Sequence, residues 1–400
     1  MVVLIALGRN ISQAGVALFL HASLEGFQVF IMLKNTLIAM ARLLKVLPLL
    51  FVVAACTSIG PLNIGQDRMK YNEAMQKTND QELLINLVRL RYLDSPSFVS
   101  VSGITAQSSL ITGMSLSMAR TTSRVSGVRT LGFSDTFAPS VTVTDAPVIS
   151  YTPLQGDGFV RELLSPISLD LVVLLSKSGW DIRGVLNLLV ERMNFVPNAP
   201  SASGPTPQMP PEYKEFANLL TNIGKMGNDV SLDYFVTGKE ILPGIRFAPG
   251  ALETPHGKAV EKQLKLAPGK EMFFLSNNID VDRKDIIEMR TRSLMGVLYF
   301  LSHSVNIPQD DADGGFVVVT DDANGDEFYW PAVSNNMFHV LTSKDEPANA
   351  AVQVLYNGSW FYIANNDLRT KSSFILLSQL MDLQSGNQAL TAPALTLPLN

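Results

Sequence analysis

Leu110-Ile-Thr-Gly-Met-Ser-Leu-Ser-Met-Ala119, followed further on by Val141-Thr-Val-Thr144, decides how this chain is read. Leu110, Met114, Leu116 and Met118 alternate with Ile111, Gly113, Ser115, Ser117 and Ala119, the period of two of an extended strand with unlike faces. Val141 to Thr144 alternates again. Thr121 to Pro139 between them contains Gly and Ser, so residues 97–151 are expected to form two long strands joined by a flexible connection. Such a hairpin fits the edge of a sheet. It also fits a membrane-inserting hairpin of an oligomeric barrel, whose strands alternate apolar with small or polar residues at about ten residues per crossing. Arg120, Arg124 and Arg129 lie near the tip, where in a membrane they would cross or reach headgroups.

Helical patterns flank this segment. Gln66 to Lys77 predicts a polar helix, and Asn79 or Asp80 can cap a second, Gln81 to Tyr92, in which Leu83, Leu84, Leu87, Val88 and Arg91 follow the 3–4 spacing of a core-facing stripe. After the hairpin, short helices are expected over Phe159 to Leu164, over Leu169 to Ser176, and over Ile182 to Met193 behind the cap Asp181. Asn198 to Pro211 is dense in proline and reads as a linker or long surface loop. Beyond it the sequence predicts helices Glu212 to Lys225, Arg283 to Ser304 and Leu368 to Leu383. Strands are expected at Val230 to Val236, Met272 to Leu275, Phe316 to Thr320, Phe338 to Thr342, Val352 to Tyr356 and Trp360 to Ile363. Asn357-Gly358 is a type I′ hairpin signal. The expected class is α+β, with mixed helices and antiparallel sheets. Residues 66–197 form an N-terminal domain carrying the hairpin, 212–388 a C-terminal domain, and 389–400 an extended tail.

The only cysteine, Cys56, ends the run Lys45-Val-Leu-Pro-Leu-Leu-Phe-Val-Val-Ala-Ala-Cys56. Arg42 and Lys45 precede a compact apolar segment, Val46 to Ala55, too short for a bilayer-spanning helix, and Ala54 and Ala55 are small enough for a peptidase groove. The arrangement resembles a bacterial lipoprotein signal peptide with the lipobox Val53-Ala54-Ala55-Cys56. That resemblance implies cleavage between Ala55 and Cys56, acylation of the Cys56 thiol and amine, and anchoring to a membrane through the acyl chains. Thr57 after the cysteine implies the outer membrane, facing the periplasm. Met40 makes a natural start and Met32 is nearly as good. Residues 1–39 read as an upstream extension, 40–55 as the signal peptide and 56–65 as a tether.

A formal net charge of −5 with 17% charged residues shows no basic block for nucleic acid. A single cysteine excludes an internal disulfide and a cysteine-based zinc cluster. Of the four histidines, His21 precedes the lipobox, and His256, His303 and His339 show no metal-ligand spacing. Ser302-His303-Ser304 invites a hydrolase reading, as does His339 with Asp321 and Asp322, yet no G-x-S-x-G elbow accompanies them. The acidic loops at 309–315 and 321–327 lack the first carboxylate and the bidentate glutamate of an EF-hand. Tyr356, Trp360, Phe361 and Tyr362 suit a half-buried sheet better than a ligand face. No cofactor, metal or catalytic residue is expected.

Gln81-Glu-Leu-Leu-Ile-Asn-Leu-Val-Arg-Leu-Arg-Tyr92, Tyr151-Thr-Pro-Leu-Gln-Gly156, Arg292-Ser-Leu-Met-Gly-Val-Leu-Tyr299 and Lys371-Ser-Ser-Phe-Ile-Leu-Leu-Ser378 resemble phrases of an uncharacterised family of proteobacterial outer-membrane lipoproteins. The resemblance implies a Gram-negative source and a lipid anchor, and no activity. Three functions are carried forward as expectations. The first is a non-enzymatic scaffold or accessory subunit of an envelope assembly, with envelope protein partners or copies of itself. The second is an oligomeric outer-membrane pore or export lipoprotein inserting the 97–151 hairpin. The third and least supported is an envelope hydrolase.

Overall fold

A computed structural model describes residues 59–105, 108–125, 128–145, 148–238, 240–278 and 284–385. Ala55, Cys56 and the 389–400 tail lie outside them. The chain is α+β, as expected. It divides into two units, Met1–Gln76 and Lys77–Asn400. The described part of the first is helical. The second contains the whole of the core described below.

Helix α1 runs unbroken over Ile59–Arg91. Residues 59–65, read as a tether, are therefore helical, and Asn79-Asp80 lies inside the helix instead of capping a second one. Leu84, Leu87, Val88 and Arg91 are buried along its core-facing stripe. The chain then enters strands β1 (Val99–Thr105), β2 (Ser108–Val125), β3 (Val128–Asp145) and β4 (Val148–Pro153). Thr121 to Val125 and Val128 to Pro139, expected as a connection, belong to the ladder. Their Thr, Val, Phe and Leu residues have strong strand preference, and the alternation outweighs the Gly and Ser turn signals.

Helices α2 (Asp157–Leu164), α3 (Leu169–Lys177) and α4 (Ile182–Leu189) follow. The Ser168 side chain accepts from the Leu171 amide and caps α3, and Asp181 accepts from the Arg183 amide, the cap expected for α4. The helix expected to reach Met193 stops at Leu189, because Val190–Met193 is strand β5, paired with β6 (Val196–Pro197). Then come α5 (Lys214–Met226), β7 (Val230–Thr237), β8 (Glu240–Phe247), α6 (Pro255–Leu264), β9 (Met272–Ser276) and β10 (Ile286–Thr291). The strands assemble in the order β6-β5-β10-β9-β8-β7, with β9 and β10 parallel and the other pairs antiparallel.

Two expectations fail here for physical reasons. In Arg283 to Ser304, read as one helix, Ile287, Met289 and Thr291 are buried in alternation on β10, and the helix α7 covers only Leu294–Ser302. Ser293 caps it by accepting from the Gly296 amide. The proline-rich 198–211 segment is not a linker between domains. Asn198, Ala199 and Ala202 are buried, and β5 and β6 share a sheet with β7 to β10, so both expected domains contribute to one core.

After a short helix, α8 (Gln309–Asp313), Phe316 to Thr320 is irregular instead of a strand. The Val318 carbonyl accepts from the Arg91 side chain, and the Thr320 hydroxyl donates to the Pro207 carbonyl. Strands β11 (Leu341–Ser343), β12 (Ala350–Tyr356) and β13 (Ser359–Ala364) form an antiparallel sheet in the order β11-β13-β12. The expected strand at 338–342 is thus shifted to Leu341–Ser343. Asn357 and Gly358 both have positive φ, at 47° and 80°, as a type I′ turn requires. Phe361 and Ile363 are buried, and Trp360 and Tyr362 half-buried, so the aromatic hairpin is a half-buried sheet. Helix α9 (Leu368–Ser385) ends the described chain.

Candidate functional site: the two-stranded ribbon

Strands β2 and β3 pair antiparallel from Ser108↔Asp145 to Val125↔Val128, 18 residues each. Beneath them β1 and β4 pair in the same frame, through Thr105↔Val148, with one register shift between Val101 and Gly103. At about 3.3 Å per residue, β2 alone extends roughly 60 Å. Among the described residues this sheet has two strands only.

The root of the ribbon is fastened to α1. Asn86, fully buried, donates to the Ser97 carbonyl at 2.7 Å and accepts from the Ser97 amide at 2.9 Å, standing in for a strand neighbour. Glu82 accepts from the Val99 amide at 2.7 Å. Burial pushes the Glu82 carboxyl up, against the opposing effects of that hydrogen bond and of Arg89. The Leu154 amide donates to the Phe98 carbonyl, and Phe98 meets Phe159 edge-on at 6.0 Å.

Successive strand residues alternate faces, so the register determines which residues share one. Leu110/Val143, Thr112/Val141, Met114/Pro139 and Leu116/Phe137 occupy one face. Ser109/Thr144, Ile111/Thr142, Gly113/Ser140, Ser115/Ala138 and Ser117/Thr136 occupy the other. The first is apolar, the second small and mostly polar. No charge interrupts Ser109 to Ala119 on β2, nor Thr136 to Thr144 on β3, which is 11 and 9 residues. Asp145 closes this belt toward the root, and Asp135 and Arg120 close it toward the tip. A tilted strand crosses a bilayer in about 9–11 residues. Within this length of β2, Met118 is 74% exposed.

The residues of the hydrolase reading are not brought together. His303 is buried; its Nε2–H donates to the Ala202 carbonyl at 3.1 Å, and its Nδ1 faces the Thr206 hydroxyl at 3.4 Å. Ser302 donates instead to the Tyr299 carbonyl of its own helix at 2.8 Å. His339 pairs with Asn306 at 2.7 Å, while Asp322 accepts from the Asn324 and Asp326 amides of its own turn. Asp321 forms an isolated bridge with Glu327. His256 faces Asn222. In the first acidic loop, Asp310 pairs with Lys344 and Asp311 accepts from the Tyr92 hydroxyl. Among the described residues no three His, Cys, Asp or Glu side chains converge to hold a metal, and no helix is long and apolar enough to cross a membrane.

Sequence reasoning missed a buried polar cluster that organises the core. Arg292, just before α7, donates from Nη1 to the carbonyls of Asn187, Leu188 and Val190 at 3.0, 3.1 and 2.8 Å. These lie at the C-terminal end of α4, where carbonyls lack helical donors and the dipole favours a cation. Its Nη2 donates to the Asn198 carbonyl, its Nε to Ser203 at 3.1 Å, and its guanidinium lies 4.0 Å over the Phe300 ring. Burial pushes its pKa down to about 9, which leaves it charged at neutral pH. Asn198 completes the set by donating to the Asn187 and Val190 carbonyls. Arg91, buried, donates to Thr206 and to the Val318 carbonyl. The available signal was an arginine directly ahead of the cap Ser293 and the apolar run Leu294 to Leu301.

His303 stacks on Trp330 at 4.4 Å, and its pKa is pushed down to about 3, first by burial and then by the Arg91 charge. The native state stays neutral there below pH 6.5, where the unfolded chain takes up a proton. The associated stability is therefore complete above pH 6.5 and is lost as pH falls toward 3, at about 1.4 kcal/mol per unit. Between pH 7.5 and 4.5 the wild type should lose about 2–3 kcal/mol more than His303→Gln in urea unfolding. Equal losses in the two proteins would show that His303 does not set the acid limit.

In comparisons with known proteins, no family model matches this chain, and neither a curated protein nor a solved structure does.

Proposed function

We propose that the protein is a lipid-anchored outer-membrane component that inserts the β2–β3 ribbon into the bilayer, with copies joined edge to edge into a barrel. The observation that carries this reading is the register. It sorts a charge-free length of both strands into an apolar face and a small, polar face, and that length suits one crossing. A lone two-stranded hairpin is marginal in water, and joining edges satisfies the backbone groups that hydrocarbon cannot. The lipobox at Ala55-Cys56 supports the anchor and the side of the membrane from which the ribbon enters. If the ribbon lies along an envelope partner instead, the protein is the scaffold of the first expectation.

One experiment separates them. With a protease site placed at Ser126, intact cells should be cut from outside, and purified protein should form rings in detergent micrographs. Cys56→Ser should take up no labelled palmitate and should lose tip cleavage, because unanchored precursor does not reach the outer membrane. A tip protected in intact cells and cut only after lysis would overturn insertion. Palmitate incorporation equal in both proteins would overturn the anchor.

A further inference from the structure

We infer that a cavity between α4, α7, α9 and the 334–338 loop binds a small carboxylic acid with an apolar or aromatic body and a second hydrogen-bond acceptor. The site lies in the core unit and does not depend on what the ribbon does.

The cavity has a volume of about 330 Å³, within the range of small-molecule sites. Its floor is apolar: Leu188, Phe300, Leu301, Phe338 and Leu376 line it, and none is more than 5% exposed. Asn187 lines the same cavity and is buried, yet its side-chain amide nitrogen has no hydrogen-bond partner. Buried donors are rarely left so, because the lost hydration is not replaced. The main chain at this position is fixed from behind, since the Asn187 carbonyl accepts from Arg292 Nη1 and Asn198 Nδ2 at 3.0 and 2.9 Å. A donor on so firm a support is preorganised for an acceptor that arrives with a ligand.

The other polar groups of the wall narrow the choice. Ser334 already donates to the Pro331 carbonyl and Ser373 to the Met337 carbonyl. Arg183 donates from Nε and Nη2 to the Asp181 carboxylate, so that pair is neutral. Arg369, at the start of α9, is exposed and has no carboxylate partner among the described residues. The cavity thus offers one uncommitted cation, one unmet amide donor and an apolar floor. A carboxylate fits the guanidinium fork and brings a single negative charge. A phosphate monoester brings about −1.5 to −2 at neutral pH, more than one arginine balances. The second acceptor, a ketone or hydroxyl oxygen, takes the Asn187 N–H.

The test is calorimetric titration of the full chain in phosphatidylcholine nanodiscs, which avoids detergent in the apolar floor, with empty nanodiscs as the blank. The probe is 4-oxo-4-phenylbutyrate, and for its size a Kd of about 1 mM is expected. On the unmodified chain, 4-phenylbutyrate, which lacks the ketone, should bind about fivefold more weakly, and so should the methyl ester, which lacks the charge. The ketone makes the probe more polar, so its gain cannot come from apolar transfer. Asn187→Leu should bind the two acids alike, and Arg369→Gln should bind the keto acid and its ester alike. The matched probes read the same contacts without a substitution, should the leucine variant fail to fold. No heat from the keto acid up to about 10 mM would overturn the site. Equal affinity of the unmodified chain for the acid and its ester would overturn the anion, and equal affinity for the two acids would overturn the Asn187 contact. A ketone preference that survives Asn187→Leu would overturn that contact too.

Discussion

Arg292→Met should destabilise the protein by roughly 3–5 kcal/mol, the range seen when one member of a buried charged network is removed. Methionine fills much of the arginine volume, so the loss isolates the polar contribution. The carbonyls of Asn187, Leu188 and Val190 lose their shared Nη1 donor, and that of Asn198 loses Nη2. Each unsatisfied buried acceptor costs about 1–3 kcal/mol, offset in part where Asn198 still donates. Arg292→Lys should recover only part of the stability, because a compact ammonium cannot reach acceptors spread over the end of α4 and the 198–203 segment. Urea unfolding followed by tryptophan fluorescence gives both values. A loss below about 1 kcal/mol for the methionine variant would remove Arg292 as the organiser of this core.

The second large effect is a contrast between neighbours. In the proposed barrel, Met114→Arg would put a charge at the middle of the belt on the lipid face, at a cost of about 2–4 kcal/mol per copy. That cost repeats in every copy of a ring, so insertion should be lost. Ser115→Arg would put the same charge one residue along, on the face that would line the lumen, where water would be available. It should leave rings intact and shift the permeability of reconstituted vesicles toward anions. Equal effects of the two substitutions would mean that the faces are not in different media, and the barrel reading would fail.

The sequence made the alternation of 110–119 plain, along with the core stripe of α1 and the Asn357-Gly358 turn, because each is a local pattern with its own period or turn chemistry. It did not reveal that Thr121 to Val125 and Val128 to Pro139 continue the ladder. Nor did it show that Arg120, Arg124 and Arg129 share the face of Leu116, since facing depends on register across the pair. The β10–α7 boundary was hidden because the polar residues of β10 precede an apolar run, and the two together imitate one helix. Ser293 marked the true start. The proline-rich 198–211 segment misled for a different reason. Proline lacks donors but keeps its carbonyl, and the donors supplied by Arg292, His303 and Thr320 let this segment lie in the core. His303 and Ser302 are neighbours in the chain whose hydrogen bonds run to different carbonyls, which spacing alone does not show.

The shared frame of the β1–β4 and β2–β3 ladders limits how this hairpin can lengthen or shorten during divergence. Losing one residue from one strand moves everything beyond it to the opposite face, exchanging leucine for serine along the belt. Losing one from each strand at matching rungs preserves pairing but inverts the tip relative to the root. Only steps of two residues on each strand keep both. Related chains whose ribbons reach a different length should therefore differ by matched, even increments, with Asn86 and Glu82 unchanged at the base.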